Sequence, residues 1–238
     1  MHRPTLLKAA VAAFLLLLPG TYRHATAFEM DALETDELRL LYFDPYTTYL
    51  APWVARNFHN SLEFHKEMLD WQPWERTTLL LKDFSDYGNA GALSSPRNMV
   101  LVDVAPASRT LETLPANERM YMLMNHELVH VGMSDVWNED DGFWRRLFGG
   151  KPSITGEHPE TILYNYLVTP RHNAPRWYLE GSATFMETWM AGGIGRAQGA
   201  YDEMVFRAMA RDDATFYSNL GLVSRGTSAD FQVGVNAY

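Results

Sequence analysis

The spacing of apolar residues changes along the chain from a strand pattern to a helix pattern. Three short apolar runs predict strands: RLLYFDP (39–45), RTTLLLKDF (76–84) and NMVLVDVA (98–105). Between the first two, APWVARNFHNSLEFHKEMLDW (51–71) has apolar residues at helical spacing and a proline near its start. The first half of the chain therefore predicts a mixed β-sheet with one helix.

The second half of the chain predicts helices. They are a long helix that begins at Asn117-Glu118, two shorter ones over 142–148 and 159–168, and a last one that begins at Pro175 and ends at Gly192-Gly193. The segment YGNAGALSSPR (87–97), between two predicted strands, has the glycine, serine and proline content of a connecting loop. A sheet followed by a helical part makes the predicted fold α+β.

The N-terminus has the features of a secretory signal. Two basic residues precede an apolar run from Ala9 to Leu18, and Ala25-Thr26-Ala27 has the small side chains that a signal peptidase requires. We predict a signal peptide over 1–27 and a mature domain over 28–238. An uncleaved membrane anchor is the alternative, but the run is shorter than the roughly 20 residues that cross a bilayer. The mature protein is expected to be secreted or periplasmic, without a stable membrane span.

Charge and cysteine content restrict the chemistry. The net charge is −9, and lysine and arginine do not cluster, so no nucleic-acid partner is expected. The chain has no cysteine. An exported protein with this composition has no disulfide bonds, and any metal site in it must use histidine and carboxylate ligands.

One predicted helix carries polar residues where a buried helix would have leucines. The stretch MYMLMNHELVHVGM (120–133) places His126 and His130 one turn apart on one face, so both imidazoles can bind one metal ion. Glu127 lies about 100° around the helix from His126 and can reach a water on that ion as a general base. The alternative is a pair of core histidines, but burying a carboxylate and two imidazoles without a counterion costs several kcal/mol.

Glu180 is the best candidate for a third ligand. On the helix after Pro175, Glu180, Ala183 and Glu187 occupy one narrow stripe, and the small Ala183 allows close approach to another helix. An exposed acidic stripe is the alternative for these positions. Glu187 is a candidate partner for a ligand imidazole. His158 and His172 are alternative ligands without support from periodicity. Together, two histidines and Glu180 would bind one Zn²⁺ per chain.

These motifs resemble those of the gluzincin metallopeptidases, and specifically the peptidase MA-like domains of exported bacterial proteins. The resemblance lies in HELVH (126–130) and in the W-x-x-E-G-x-A pattern of Trp177, Glu180, Gly181 and Ala183. It implies a zincin-like fold in which His126, His130 and Glu180 bind zinc and Glu127 is the general base. It extends more weakly over residues 39–238.

The chain also departs from this family. Forty-nine residues, 131–179, separate His130 from Glu180, which is longer than the family spacing and suggests an inserted helical hairpin. Thr184 stands where thermolysin-like enzymes have an acidic residue beside the ligands. Similarity to aminopeptidase N-like enzymes suggests Tyr238 as the oxyanion-stabilising residue. Tyr178 and Tyr217 are alternatives.

The resemblance further implies that a strand at the edge of the sheet binds the substrate backbone. NMVLVDV (98–104) is the candidate, and its alternative is an internal strand.

The expected function is an exported zinc metallopeptidase that acts on a peptide or protein substrate. The alternatives are a non-catalytic zincin-fold module of the cell envelope and a metal-dependent hydrolase of another amide or ester. The terminal residues FQVGVNAY fit either a natural edge strand or a chain that continues into a further domain.

Overall fold

The computed structural model describes residues 28–86, 88–105 and 118–168, and the range 174–211 without 175, 193, 194, 196, 197 and 199. The predicted signal peptide, His172, Tyr217 and Tyr238 lie outside the described residues. Within them, no helix has both the length and the apolar composition needed to cross a bilayer.

The described residues of the first half of the chain form a five-stranded mixed sheet. Its strands are β1 (Glu29–Glu34), β2 (Leu38–Asp44), β3 (Thr77–Lys82), β4 (Ala90–Leu93) and β5 (Met99–Asp103). Their spatial order is β1-β2-β3-β5-β4. The central strands β2, β3 and β5 are parallel, and the two outer strands pair antiparallel. The predicted mixed sheet is therefore confirmed, with two edge strands that the apolar pattern did not predict.

One helix lies between β2 and β3 in the chain, and the other helices follow the sheet. They are α1 (Ala51–Leu69), α2 (Arg119–Asp135), α3 (Glu139–Leu147), α4 (Glu160–Leu167), α5 (Arg176–Met190) and α6 (Ala200–Arg211). The predicted α+β order is confirmed, and two helices, α3 and α4, lie between the HELVH helix and the Glu180 helix as the long spacing suggested. The sixth helix, α6, was not predicted.

The core lies between the sheet and the first two helices. Alternate residues of the parallel strands are fully buried, and they contact apolar residues of α1 and α2 in one cluster. Its members include Leu38, Leu40, Leu79, Leu81, Val100, Val102, Phe58, Leu62, Met124 and Leu128. This packing fixes the helix that carries HELVH against the sheet. The N-terminal turn of α2 is capped by Glu118, whose carboxylate accepts hydrogen bonds from the N–H groups of Met120 and Tyr121.

The prediction that residues 98–104 form the substrate-binding edge is wrong. This segment contains β5, which lies between β3 and β4 inside the sheet. The edge beside it is β4, a four-residue strand with the sequence AGAL. Short strands of small residues have little intrinsic β propensity, so this one was interpreted as part of a loop. It is stabilised by its pairing with β5.

A buried polar network fixes the C-terminal end of α2. The carboxylate of Asp135 is fully buried and ion-paired with Arg145 and Lys151. These ion pairs involve Oδ1 of Asp135. The second oxygen, Oδ2, accepts hydrogen bonds from the side chain of Asn98 at 2.9 Å and from the indole of Trp71 at 3.2 Å. Asp135 is thus occupied by structural partners and connects α2 to the sheet, to α3 and to the chain that follows α3.

A second polar contact lies between α1 and α2, directly before the motif. Ser61 donates a hydrogen bond to the side chain of Asn125, and the His65 imidazole lies 3.0 Å from the Asn125 carbonyl oxygen. His65 is fully buried. Burial lowers the pKa of His65 to about 4, although its hydrogen bond to Asn125 acts in the opposite direction. His65 is therefore neutral in the folded protein at physiological pH.

We expect His65 to make the protein sensitive to acid. Between pH 6.5 and about 4 the unfolded chain binds a proton at this position and the folded chain does not, so stability falls as the pH decreases through this window. The loss at pH 4.5 relative to pH 7.5 should be about 2 kcal/mol. Urea unfolding with a chelator present, at both pH values, measures it.

The variant His65→Gln should lose less stability on acidification, since glutamine does not titrate. His59→Gln is the matched control, because His59 lies on the same helix but is only partly buried. An equal acid-induced loss in His65→Gln and in the unmodified protein would contradict this account.

Candidate metal centre

Helix α2 presents two imidazoles to one point. The ring centroids of His126 and His130 are 4.9 Å apart, and their Nε2 atoms are 3.2 Å apart. His126 is buried and His130 is partly exposed. The four-residue spacing produces this arrangement, because residues i and i+4 of a helix lie on one face.

Helix α5 crosses α2 and adds a carboxylate oxygen. The Oε2 atom of Glu180 lies 3.4 Å from His126 Nε2 and 3.6 Å from His130 Nε2. Ala183 is fully buried in a small apolar cluster with Val129 of α2. The small side chain of Ala183 thus lies at the contact between the helices, as its position beside Glu180 predicted.

The three ligand atoms have the separation that a tetrahedral zinc ion requires. Zn–N and Zn–O distances of about 2.0 to 2.1 Å at the tetrahedral angle place neighbouring ligand atoms about 3.3 Å apart. The observed separations are 3.2, 3.4 and 3.6 Å. Among the described residues, His126, His130 and Glu180 form the one group with the donor atoms and proximity to hold a metal ion. Two nitrogens and one carboxylate oxygen also suit zinc chemically.

Glu187 orients the first imidazole. Its Oε2 atom lies 2.8 Å from His126 Nδ1, and only 1% of Glu187 is exposed. With the Nδ1 proton donated to this carboxylate, Nε2 is the nitrogen left to face a metal ion. The contact proposed for Glu187 from its helical position is therefore present. Thr184 is buried, and its hydroxyl has no hydrogen-bond partner among the described residues.

The charges at the centre favour a cation. Burial raises the pKa of the Glu180 carboxyl, but hydrogen bonds and charge interactions with His126 and His130 outweigh burial and hold the pKa well below its usual range. Glu127 and Glu187 are also buried. A divalent cation would compensate the buried negative charge.

The other candidate ligand and oxyanion-stabilising residues that the structure describes do not lie at the metal centre. His158 is exposed and lies 3.1 Å from Glu160, which follows it in the chain by two residues. Tyr178 is on α5, but it lies two residues before Glu180 and therefore about 200° around the helix from it. The prediction for Tyr238 falls outside the described residues, as do those for His172 and Tyr217.

The structure also places near the metal centre a strand and two residues that the sequence motifs did not indicate. Strand β4 lies beside α2, and Ser61 and His65 support the turn of α2 before His126. The only sequence signal for Ser61 and His65 was that two polar residues occur at helical spacing on the buried face of α1.

No family model matches the chain, and no curated protein is recognisably similar to it.

Removal of the Glu187 charge should weaken metal binding. The variant Glu187→Gln keeps the shape of the side chain but loses the carboxylate that holds His126, and a 10- to 100-fold loss of zinc affinity is expected. Competition with a chromophoric chelator measures it. Thr184→Val is the matched control, since it changes a buried neighbour on the same helix, and its affinity should stay within about twofold. Equal affinities for Glu187→Gln and the unmodified protein would contradict the role.

Proposed function

We propose that this protein is an exported zinc metallopeptidase with a zincin-like fold, which hydrolyses peptide bonds in a peptide or protein substrate. The observation that carries the proposal is the convergence of His126, His130 and Glu180 at separations suited to one tetrahedral ion. Three protein ligands leave a fourth position for water or substrate, which distinguishes catalytic from structural zinc sites.

The residues around this position have distinct roles in the proposed reaction. A Zn²⁺ ion bound by His126, His130 and Glu180 would polarise the substrate carbonyl and lower the pKa of water. Glu127 accepts the proton of the attacking water and delivers it to the nitrogen of the leaving amine. Glu187 holds the His126 imidazole in the orientation that exposes Nε2. Burial of Glu127 keeps its carboxylate away from competing solvent.

The edge strand β4 is the proposed site for the substrate backbone. The N–H of Asp103 donates to the Asn89 carbonyl at 2.8 Å, and Gly91 and Leu93 pair with β5 in the same alternation. The backbone N–H and C=O of Ala92 therefore point away from the sheet. They are positioned to bind an extended peptide by strand addition beside the metal ligands.

We expect Ala92→Pro to weaken substrate binding without unfolding the protein. Proline removes the outward N–H, and edge strands tolerate proline where that group faces away from the sheet. Loss of one hydrogen bond to the peptide should lower kcat/KM about 10-fold, with most of the effect in KM.

Ala32→Pro is the matched control. Ala32 lies on β1, the opposite edge strand, and its N–H also points outward, since it donates to the side chain of Asp31 at 2.7 Å. This variant should keep the original kcat/KM. A similar loss of activity in both variants would show that the effect comes from general destabilisation and not from β4.

The function is tested by zinc analysis and a peptide assay on the same purified sample. About one zinc ion per chain, with peptide hydrolysis that a chelator abolishes and Zn²⁺ restores, is the expected result. Zinc binding without hydrolysis of any peptide would favour the non-catalytic module. Hydrolysis of small amides or esters but not of peptides would favour another hydrolase.

A further inference from the structure

Helix α2 runs alongside β4 in the direction of β4. At the start of α2, the guanidinium of Arg119 lies against Gly88, which is two residues before β4. At the other end, Asp135 accepts a hydrogen bond from the side chain of Asn98 at 2.9 Å. Asn98 directly precedes β5, whose first residue pairs with Leu93, the last residue of β4. The two contacts fix both ends of the helix relative to the strand.

The metal ligands lie level with the second half of β4. His126 and His130 follow Arg119 by seven and eleven residues (126 − 119 and 130 − 119), which is about 10 and 16 Å along the helix axis. A strand advances about 3.3 Å per residue, so the same distances from Gly88 reach roughly Gly91 to Leu93. A peptide bond held at a metal ion bound by these ligands would therefore lie close to the end of β4.

A short segment, residues 151–153, contacts the chain just beyond Leu93. Two residues further on, the Ser95 hydroxyl donates to the carbonyl of Lys151 at 2.9 Å and lies 3.2 Å from the Ser153 hydroxyl. Lys151 is itself buried, and its ammonium group donates to Asp135 and Asn98 at 2.6 Å each. The 151–153 segment is thus held firmly beside the end of the edge strand.

A peptide that pairs antiparallel with β4 directs its amino end toward Leu93, and antiparallel pairing is the more stable arrangement per residue. The part of the peptide before the cleaved bond then runs toward the 151–153 segment. The part after the cleaved bond runs toward Ala90, away from this segment.

We propose that the site accepts about one to three residues on the amino-terminal side of the cleaved bond, which makes the enzyme an exopeptidase that shortens peptides from their amino ends. This inference rests on the proposed peptidase function. The 151–153 segment sets the limit, because it lies two to four residues beyond the position of the metal along β4.

Two series of peptides, one lengthened on each side of the cleaved bond, test the proposal. Peptides with one cleavable sequence are extended from one to six residues on the amino side, and a second set is extended on the carboxyl side. Mass spectrometry locates the cut, and kcat/KM is measured with the zinc-loaded protein. We expect at least a 10-fold fall in kcat/KM between three and six residues on the amino side, and less than a threefold change on the carboxyl side.

A variant tests whether the 151–153 segment causes the dependence of kcat/KM on amino-side length. The double variant Ser95→Ala with Ser153→Ala removes the hydroxyl contacts that hold the segment to the end of β4. It should reduce the fall in kcat/KM that is caused by a long extension on the amino side of the cleaved bond. Thr48→Ala, a hydroxyl removal at an exposed contact with Asp44, should leave this fall unchanged.

Each outcome has a definite meaning. Efficient cleavage in the middle of long peptides, with no dependence on amino-side length, would overturn the exopeptidase proposal while supporting the peptidase function. An unchanged fall in kcat/KM in the double variant would overturn the role of the 151–153 segment. If a zinc-loaded sample hydrolyses no peptide at all, the proposed function fails and this inference fails with it.

Discussion

Replacement of Glu127 by glutamine is expected to remove peptide hydrolysis and leave zinc in place. Glutamine has the same size as glutamate but cannot accept the proton of the attacking water, so kcat should fall by about 10²- to 10⁴-fold. Glu127 is not among the three grouped ligands, so the variant should still hold about one zinc ion per chain. Single-turnover peptide hydrolysis and elemental analysis of the same sample measure both quantities.

Glu63→Gln is the matched control for this variant. Glu63 lies on α1, is exposed, and makes an ion pair with Lys66 at 3.0 Å. This variant should keep full hydrolysis. If Glu127→Gln retained near-normal turnover with zinc bound, the proton would have to be accepted elsewhere, and the proposed role of Glu127 would be wrong.

Replacement of Glu180 by alanine is expected to remove the metal itself. The variant loses one of the three proposed protein ligands, whose carboxylate oxygen lies within 3.6 Å of the Nε2 atoms of both histidines. Zinc affinity should therefore fall by more than the roughly 100-fold expected when a residue that only orients a ligand is changed. Hydrolysis should disappear with the metal, and high zinc concentrations should restore it in part. Zinc titration with a competing chelator provides the measurement.

Two controls define this result. Glu203→Ala removes an exposed helical glutamate that pairs with Arg207, and it should leave zinc binding unchanged. His172→Ala tests the alternative third ligand. Full zinc retention in Glu180→Ala together with zinc loss in His172→Ala would assign the third ligand to His172.

The elements that the sequence predicted are those whose signals are local. The four-residue spacing of His126 and His130 is a property of any α-helix, and the i, i+3 and i+7 stripe of Glu180, Ala183 and Glu187 follows from the same geometry. The parallel strands β2, β3 and β5 bury alternate residues, and each contains a short apolar run bounded by polar residues that the pattern detects. These features needed no knowledge of which elements contact each other.

The features that escaped prediction depend on tertiary contacts. Strand β4 consists of small residues that form a strand because β5 pairs with them, and β1 is exposed over most of its length. The hydrogen bond between His65 and Asn125 depends on how α1 and α2 cross. For the same reason Glu187, and not Thr184, reaches His126: the crossing of α2 and α5 determines which turn of α5 faces the imidazole.

The separation of the ligands between two helices has a consequence for the order of folding. The main core joins the sheet, α1 and α2, and its buried members include none of the α5 side chains that the structure describes. The sheet, α1 and α2 can therefore collapse around this core before α5 docks. Zinc affinity would then develop only when α5 docks and Glu180 joins the two histidines, so metal capture would be coupled to the last large packing step. Scarcity of zinc would then leave a protein with a formed sheet and an undocked α5, which proteases would cut first.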